Sequence, residues 1–345
     1  MMKKLKTALL VGALMGVGLP VPVQAAQTKH ETAKKVVKKA PVVSKSASKK
    51  AAIKPTHNVA AAPAKHVGKP VAKAPAKAVR HASLADFDAD PRRLALYSAS
   101  ALVLDQSSGQ PLVEKQPDAI VPIASISKLM TAMVVLDAKL DLQEVISIGD
   151  DDVDSLKGTR SRLPVGTSMT RETAMLLALM SSENRAAHAL GRHYPGGMRA
   201  FVQAMNKKAH TLGMVNSRFE EPTGLSSNNV STAHDLARMV AAAARYPEIR
   251  QYSTTAEARV DLNGRVQDFR NTNALVRSDH WEIGVSKTGY ISEAGRCLVM
   301  QARVADKPVV IVLLDSVGKM TRVGDAQRIK RWMESASLAS ERRKA

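Results

Sequence analysis

The sequence predicts an α+β fold: an antiparallel sheet packed by helices, with a helical insert. Three observations carry that expectation. Patterns that read as strands occur at both ends of residues 95–335, and the stretch between them reads as helices. Hydrophobic residues make up 45% of the 345, enough for a sizeable core. Aromatic residues are only 3%, so that core is built mostly from Ala, Val, Leu, Met and Ile.

The alternation from Tyr97 to Leu104 reads as a strand, Gln106 to Gln110 as its turn and Pro111 to Glu114 as the returning strand. A helix is expected to start near Ser125 and to run through apolar residues to Leu136. Arg171 to His193 has helical spacing, broken near Ser181 and Ser182. Residues 197–212 and 232–245 read as further helices. Residues 281–291, 296–304 and 307–315 read as three strands, with Lys287 and Thr288 on an edge strand, and 322–335 as a closing helix. Ser335 to Ala345 has no apolar face, so 337–345 is expected to be a polar tail, with no C-terminal membrane anchor.

The N-terminus has a different character. Met1 to Lys6 is basic, Thr7 to Leu19 is apolar, and Val23-Gln-Ala-Ala26 offers small residues for cleavage. Residues 1–25 therefore read as a secretory signal peptide. Residues 26–88 are rich in Ala, Lys and Pro, with too little large apolar surface to offset ordering entropy, and read as a disordered, extended spacer. The net charge of +20 is concentrated there: three lysines before residue 7 and a surplus of thirteen over 27–80 leave only +4 for the rest. In a cytosolic protein such a segment would suggest nucleic acid. Behind a signal peptide, weak attraction to anionic envelope polymers is expected and no nucleic-acid partner. The folded part is then the domain over 89–336.

Three polar motifs stand in apolar surroundings: Ser125-Ile-Ser-Lys128, Ser182-Glu-Asn184 and Lys287-Thr-Gly289. On a helix, i and i+3 share a face, so the Lys128 amine can reach the Ser125 hydroxyl. A serine hydroxyl is a poor nucleophile until a neighbouring base takes its proton. A lysine serves as that base only where burial and nearby positive charge lower its pKa, and Lys287 is the candidate for the charge. Ser127 adjoins the lysine rather than facing it and is the poorer nucleophile. Ser46-Ala-Ser-Lys49 repeats the spacing, but in the spacer, where it is expected to be inert.

The ordered trio resembles the penicillin-binding protein and serine beta-lactamase superfamily. Within it, Pro122 to Ala132, Pro222 to Thr232 and Ser286 to Tyr290 resemble the low-molecular-weight D-alanyl-D-alanine peptidases of the S11 type, closest to the murein DD-endopeptidases. The resemblance implies a penicillin-binding-protein-like sheet with its active site where sheet and helical insert meet. It implies Ser125 as nucleophile, Lys128 as base, Ser182 as a proton relay to the leaving amine, and Asn184 as a donor to substrate or a holder of Lys128. Lys287 and Thr288 would meet an anionic substrate group, Gly289 would leave room for substrate, and the backbone N–H groups of Ser125 and Tyr290 would form the oxyanion hole. The implied partners are peptidoglycan stem peptides, with beta-lactams as covalent inhibitors, in the periplasm and with no cofactor. D-alanyl-D-alanine carboxypeptidase is the alternative activity. A beta-lactamase fits less well, because Glu221-Pro-Thr-Gly-Leu225 does not match the deacylating Glu-x-x-Leu-Asn of class A enzymes. A non-catalytic wall-binding tether would have no need of all three motifs.

Other residue types point away from metal or redox chemistry. The single cysteine, Cys297, allows no intrachain disulfide and reads as a buried small hydrophobe. Of nine histidines, His188 and His193 are five apart, off the spacing that stacks on one helix face, so no metal site is expected. Arg296 and Arg303 are open to either a substrate-carboxylate or a packing role, and the Glu221 to Asn228 loop is expected to shape the cleft.

Overall fold

The computed structural model describes residues 94–344. The expected signal peptide (1–25), the expected spacer (26–88) and Ser46/Lys49 lie outside the described residues. The strands β1 (Ser98–Asp105) and β2 (Pro111–Lys115) form the N-terminal hairpin. The chain then passes through β3 (Val121–Pro122), a 3-10 turn (Ala124–Ile126), α1 (Ser127–Asp137), β4 (Val145–Ser147), β5 (Ser168–Thr170), α2 (Arg171–Met180), α3 (Asn184–Arg192) and α4 (Gly197–Thr211). Next come β6 (Val230–Ser231), α5 (Ala233–Ala243), α6 (Pro247–Thr254) and the hairpin of β7 (Glu257–Leu262) with β8 (Arg265–Arg270). The chain closes with β9 (Glu282–Ile291), β10 (Gly295–Val304), β11 (Lys307–Ser316) and α7 (Thr321–Lys344).

Five strands make the main antiparallel sheet in the order β2-β1-β11-β10-β9, which leaves β9 at an edge. Side chains alternate across a strand, and here both faces are apolar. Leu102, Val310, Val312 and Leu314 join the core shared with the helical insert. Ala101, Val103, Val309, Ile311 and Leu313 face Ala326, Ile329, Trp332 and Met333 of α7. The sheet is therefore sandwiched between α7 and the insert, which explains the near-continuous apolar run of β11.

Within the insert, α1 buries every residue from Ser127 to Val135. That all-round burial accounts for its apolar sequence, since a helix without a polar face belongs in an interior. α2 begins at Thr170, whose hydroxyl accepts from the Thr173 N–H as an N-cap. It ends at Ser181, and Ser182 adopts a left-handed φ of 62° before α3 starts at Asn184. The break expected near Ser181–Ser182 is thus a sharp corner between two helices.

Two expectations need correction. The helix expected from Ser125 begins as a 3-10 turn, and its α-helical part starts at Ser127. The closing helix does not stop at 335 but runs to Lys344, taking in residues 337–344 of the expected polar tail 337–345. Nothing in Ser335–Lys344 breaks a helix, and a solvated helix extension requires no apolar face.

Candidate active site

Ser125 is held by a strained turn locked from two sides. Ala124, just before it, has a left-handed φ of 48°, a conformation that is costly for a residue with a Cβ. From one side, Gly224 (φ 80°) presses so closely that a Cβ there would lie 1.8 Å from the Ala124 carbonyl oxygen. From the other, a Cβ on Gly289 would lie 2.9 Å from the Ile123 oxygen and 3.1 Å from the Ser125 nitrogen. The space at Gly289 is therefore filled by the turn carrying Ser125. This corrects the expectation that substrate occupies it. Asn229 stitches the turn down further: its Nδ2 donates to Ser127 Oγ at 2.9 Å, and Ser127 Oγ donates to the Ala124 oxygen at 2.9 Å.

Lys128 is fully buried. Its Nζ lies 2.9 Å from Ser125 Oγ, 2.8 Å from Asn184 Oδ1 and 2.6 Å from the Thr223 carbonyl oxygen. The amide and carbonyl oxygens can only accept, whereas a hydroxyl can donate. A neutral amine satisfies all three contacts: two N–H groups go to Asn184 and Thr223, and the lone pair faces the Ser125 hydroxyl. Burial pulls the Lys128 pKa from 10.5 to about 7, against the opposing pull of Glu221, Glu183 and Asp154. The base form is thus accessible at neutral pH.

The second motif supplies the opposite wall. Ser182 Oγ accepts from Lys287 Nζ at 2.9 Å, so the lysine that reaches this serine is Lys287. Lys287 is buried and also donates to the Thr288 carbonyl at 3.1 Å. Its pKa lies well below the ordinary value, first through burial and then through the charges of Lys128 and Arg322. Asn184 spends its oxygen on Lys128 and its Nδ2 on Thr159 Oγ1 at 2.9 Å. Thr288 Oγ1 donates to Thr272 Oγ1 at 2.7 Å. Tyr290 is exposed on β9, one residue beyond the glycine that packs on the Ser125 turn.

Several contributors escaped the sequence reading. Glu221 accepts from the N–H groups of Thr223 and Gly224, at 2.5 and 2.6 Å, and so aims the Thr223 carbonyl at Lys128. The loop does more than shape the cleft. Arg322, at the start of α7, donates to the Gly289 carbonyl at 3.2 Å, and its Nε is buried with no partner among the described residues. The two arginines considered from sequence serve elsewhere: Arg296 stacks on Tyr290 at 4.4 Å, and Arg303 pairs with Glu282 at the far end of the strand. Cys297 is buried, which pushes its thiol pKa up to about 11. His188 binds Asp152 through Nδ1 at 2.7 Å, and His193 approaches the Ser147 carbonyl. A pocket of about 110 Å³, lined by Asn184, His188, Thr223 and Asp154 among others, opens beside Lys128's partners.

A serine hydroxyl beside a buried amine, with a second lysine–serine pair on the facing wall of a sheet–insert cleft, defines a serine acyl-transfer centre. The chain belongs to the S11 peptidase family, described as D-alanyl-D-alanine carboxypeptidase, whose family model matches residues 87–318. It is 50% identical over 252 residues to the D-alanyl-D-alanine endopeptidase of Pseudomonas aeruginosa, covering 72% of this chain and 81% of that one. The D-alanyl-D-alanine endopeptidase of Escherichia coli K12 is 48% identical over 243 residues, covering 70% and 78%. Among solved structures, the Streptomyces K15 DD-transpeptidase superposes with a TM-score of 0.65 at 26% identity, covering 71% of this chain and 98% of that one.

Proposed function

We propose that this chain is an exported serine DD-peptidase that cleaves D-Ala-containing cross-links of peptidoglycan through an acyl-serine intermediate, and that penicillin acylates it. The observation that carries the reading is the Lys128 amine, buried and poised as a neutral base 2.9 Å from Ser125 Oγ. The preference for cross-links over terminal D-Ala rests on the two relatives near half identity, both named endopeptidases.

In this reading Lys128 takes the Ser125 proton as Oγ attacks the D-Ala carbonyl carbon. The oxyanion lies between the N–H groups of Ser125 and Tyr290, each donor contributing about 3 kcal/mol. As the C–N bond breaks, the leaving amine takes the Ser182 proton, which Lys287 replaces across the 2.9 Å contact. Thr288 and Lys287, with Arg322 beside Gly289, form a positive corner for the carboxylate next to that amine. Asn184 holds Lys128 and, once Thr159 releases its amide, turns a donor toward the substrate backbone. Water then attacks the ester. The proton stored on Lys128 returns to Ser125 Oγ, and the water's proton refills Lys287.

Localisation follows from the same reading. Residues 1–25 direct export to the periplasm and 26–88 tether the domain there. Among the described residues no helix is long and apolar enough to cross a membrane.

The test is mass spectrometry of residues 26–345 incubated with cross-linked dimers and with monomeric pentapeptide muropeptides, beside Ser125→Ala. Conversion of dimers to monomers, lost in the variant, is expected. Removal of only a terminal alanine would make the protein a carboxypeptidase, and no reaction with either would leave a wall-binding module.

A further inference from the structure

Between Asp150 and Val165 the chain forms a strap over the cleft, anchored at one end and latched at the other. The anchor centres on a buried carboxylate: Glu183, between Ser182 and Asn184, accepts from Ser161 Oγ at 2.6 Å and from Arg162 Nε at 2.8 Å. Asp154 shapes the crest by accepting from the N–H groups of Leu156, Lys157 and Thr159 at 2.8–2.9 Å. Thr159 meets Asn184 on the insert wall. Lys157 then reaches across to Glu293, in the turn between β9 and β10, and pairs with it. The insert wall, the strap and the tip of the β9–β10 hairpin thus form a closed ring. Lys157 is 27% exposed and Glu293 41%, so both members of the closing pair reach solvent, whereas at the anchor the Glu183 carboxylate is only 5% exposed.

The position of this pair along β9 has a consequence that rests on the proposed reaction. The leaving amine lies on the Ser182–Lys287 side, and the carbonyl oxygen lies at Tyr290. The acyl portion therefore continues from Tyr290 toward Glu293, a rise of roughly 10 Å, or three residues of extended chain. An edge strand such as β9 accepts a peptide as an added strand. In polymeric peptidoglycan the acyl-donor stem goes on to a glycan strand, and that continuation exits where Lys157 and Glu293 meet.

We propose that the Lys157–Glu293 pair is a substrate-length determinant, a latch across the exit that opens to admit donor stems still attached to glycan. A truncated donor ends before the latch and does not feel it. An exposed ion pair is weak and screened by salt, as befits a contact that breaks in each turnover.

The test uses residues 26–345 and two soluble cross-linked substrates with the same scissile bond. One has its donor stem trimmed to two residues, and the other has an intact donor stem bearing its disaccharide. Lys157→Ala and Glu293→Ala are each expected to raise kcat/KM on the long substrate by roughly two- to fivefold, the weight of an exposed pair, and to leave the short one unchanged. The exchanged pair Lys157→Glu with Glu293→Lys is expected to restore the wild-type long-to-short ratio. In the wild type that ratio is expected to rise with salt, and in the single variants to be flat. Unaltered melting temperatures would show that the variants are folded. A long-to-short ratio that is unchanged or lower in both single variants overturns the latch. Ser125-dependent cleavage of the short substrate reports on the reaction itself, so its absence would count against the proposed function instead.

Discussion

At the scale of single residues, the proposed chemistry turns on a lysine whose pKa is lowered by its surroundings. Lys128 is buried among neutral acceptors, and burial brings its pKa to about 7. Acylation by a reporter penicillin, followed by stopped-flow fluorescence, is therefore expected to fall as pH drops below about 7, where Lys128 holds its proton. The same shift acts on stability. The unfolded chain binds a proton at Lys128 up to its ordinary pKa of 10.5, and the folded chain only up to about 7. Between those values unfolding takes up a proton, so this residue makes stability rise with pH across that window. Lys287 acts in the same direction. Lys128→Arg keeps the charge and loses the base, because a guanidinium stays protonated. Its acylation rate is expected to drop about 10²–10⁴-fold, with no recovery at pH 9. An arginine variant that regained its rate at high pH would remove Lys128 from the role of base.

At the scale of elements, two glycines from distant segments clamp the turn that carries Ser125. Gly224→Ala would place a Cβ 1.8 Å from the Ala124 oxygen at a left-handed φ, so backbone has to move. Overpacking and strain together are expected to cost about 2–5 kcal/mol and most of the activity. Gly289→Ala meets neighbours at 2.9–3.1 Å and needs shifts of a few tenths of an ångström, so about 1 kcal/mol is expected. Thermal unfolding and acylation rates of the two variants check this ranking, and equal effects would contradict the clamp. The same elements show what the sequence could disclose. The ends of the main sheet, α2 to α5 and the corner at Ser182 were all legible, because periodicity and the polar break are local signals. So was the approach of Lys128 to Ser125; the charge expected from Lys287 does not set the Lys128 shift, which comes from burial. The β7–β8 hairpin was passed over although Asn263-Gly264, both at positive φ, is a strong turn signal and Glu257–Leu262 alternates charged with apolar residues; the returning strand Arg265–Arg270 breaks that alternation. Thr223, Arg322 and the strap at Lys157 were illegible for another reason. Their roles come from contacts across 95, 33 and 136 positions of sequence, which no local pattern encodes.

At the scale of the whole molecule, the candidate site and its supports among the described residues come from one stretch of chain. Both apolar clusters, the one shared with the insert and the one beneath α7, are built from residues between Leu94 and Met333. Every contact of Ser125, Lys128, Ser182 and Lys287 described above is made within that span. The strongly basic residues 27–80 carry most of the net charge and none of these groups. A chain beginning at residue 89 is therefore expected to turn over soluble muropeptides at a rate similar to one beginning at residue 26. Retention on insoluble cell wall is a different quantity. If the spacer acts by attraction to anionic polymers, its removal is expected to reduce sedimentation with purified sacculi at about 0.05 M salt and to make little difference near 0.5 M, where the Debye length is only a few ångströms. Turnover on soluble substrate and sedimentation at the two salt concentrations, measured on both chains, separate the possibilities. Equal sedimentation at low salt would strip the spacer of its tethering role. Loss of soluble turnover on deletion would show that residues 26–88 belong to the catalytic unit.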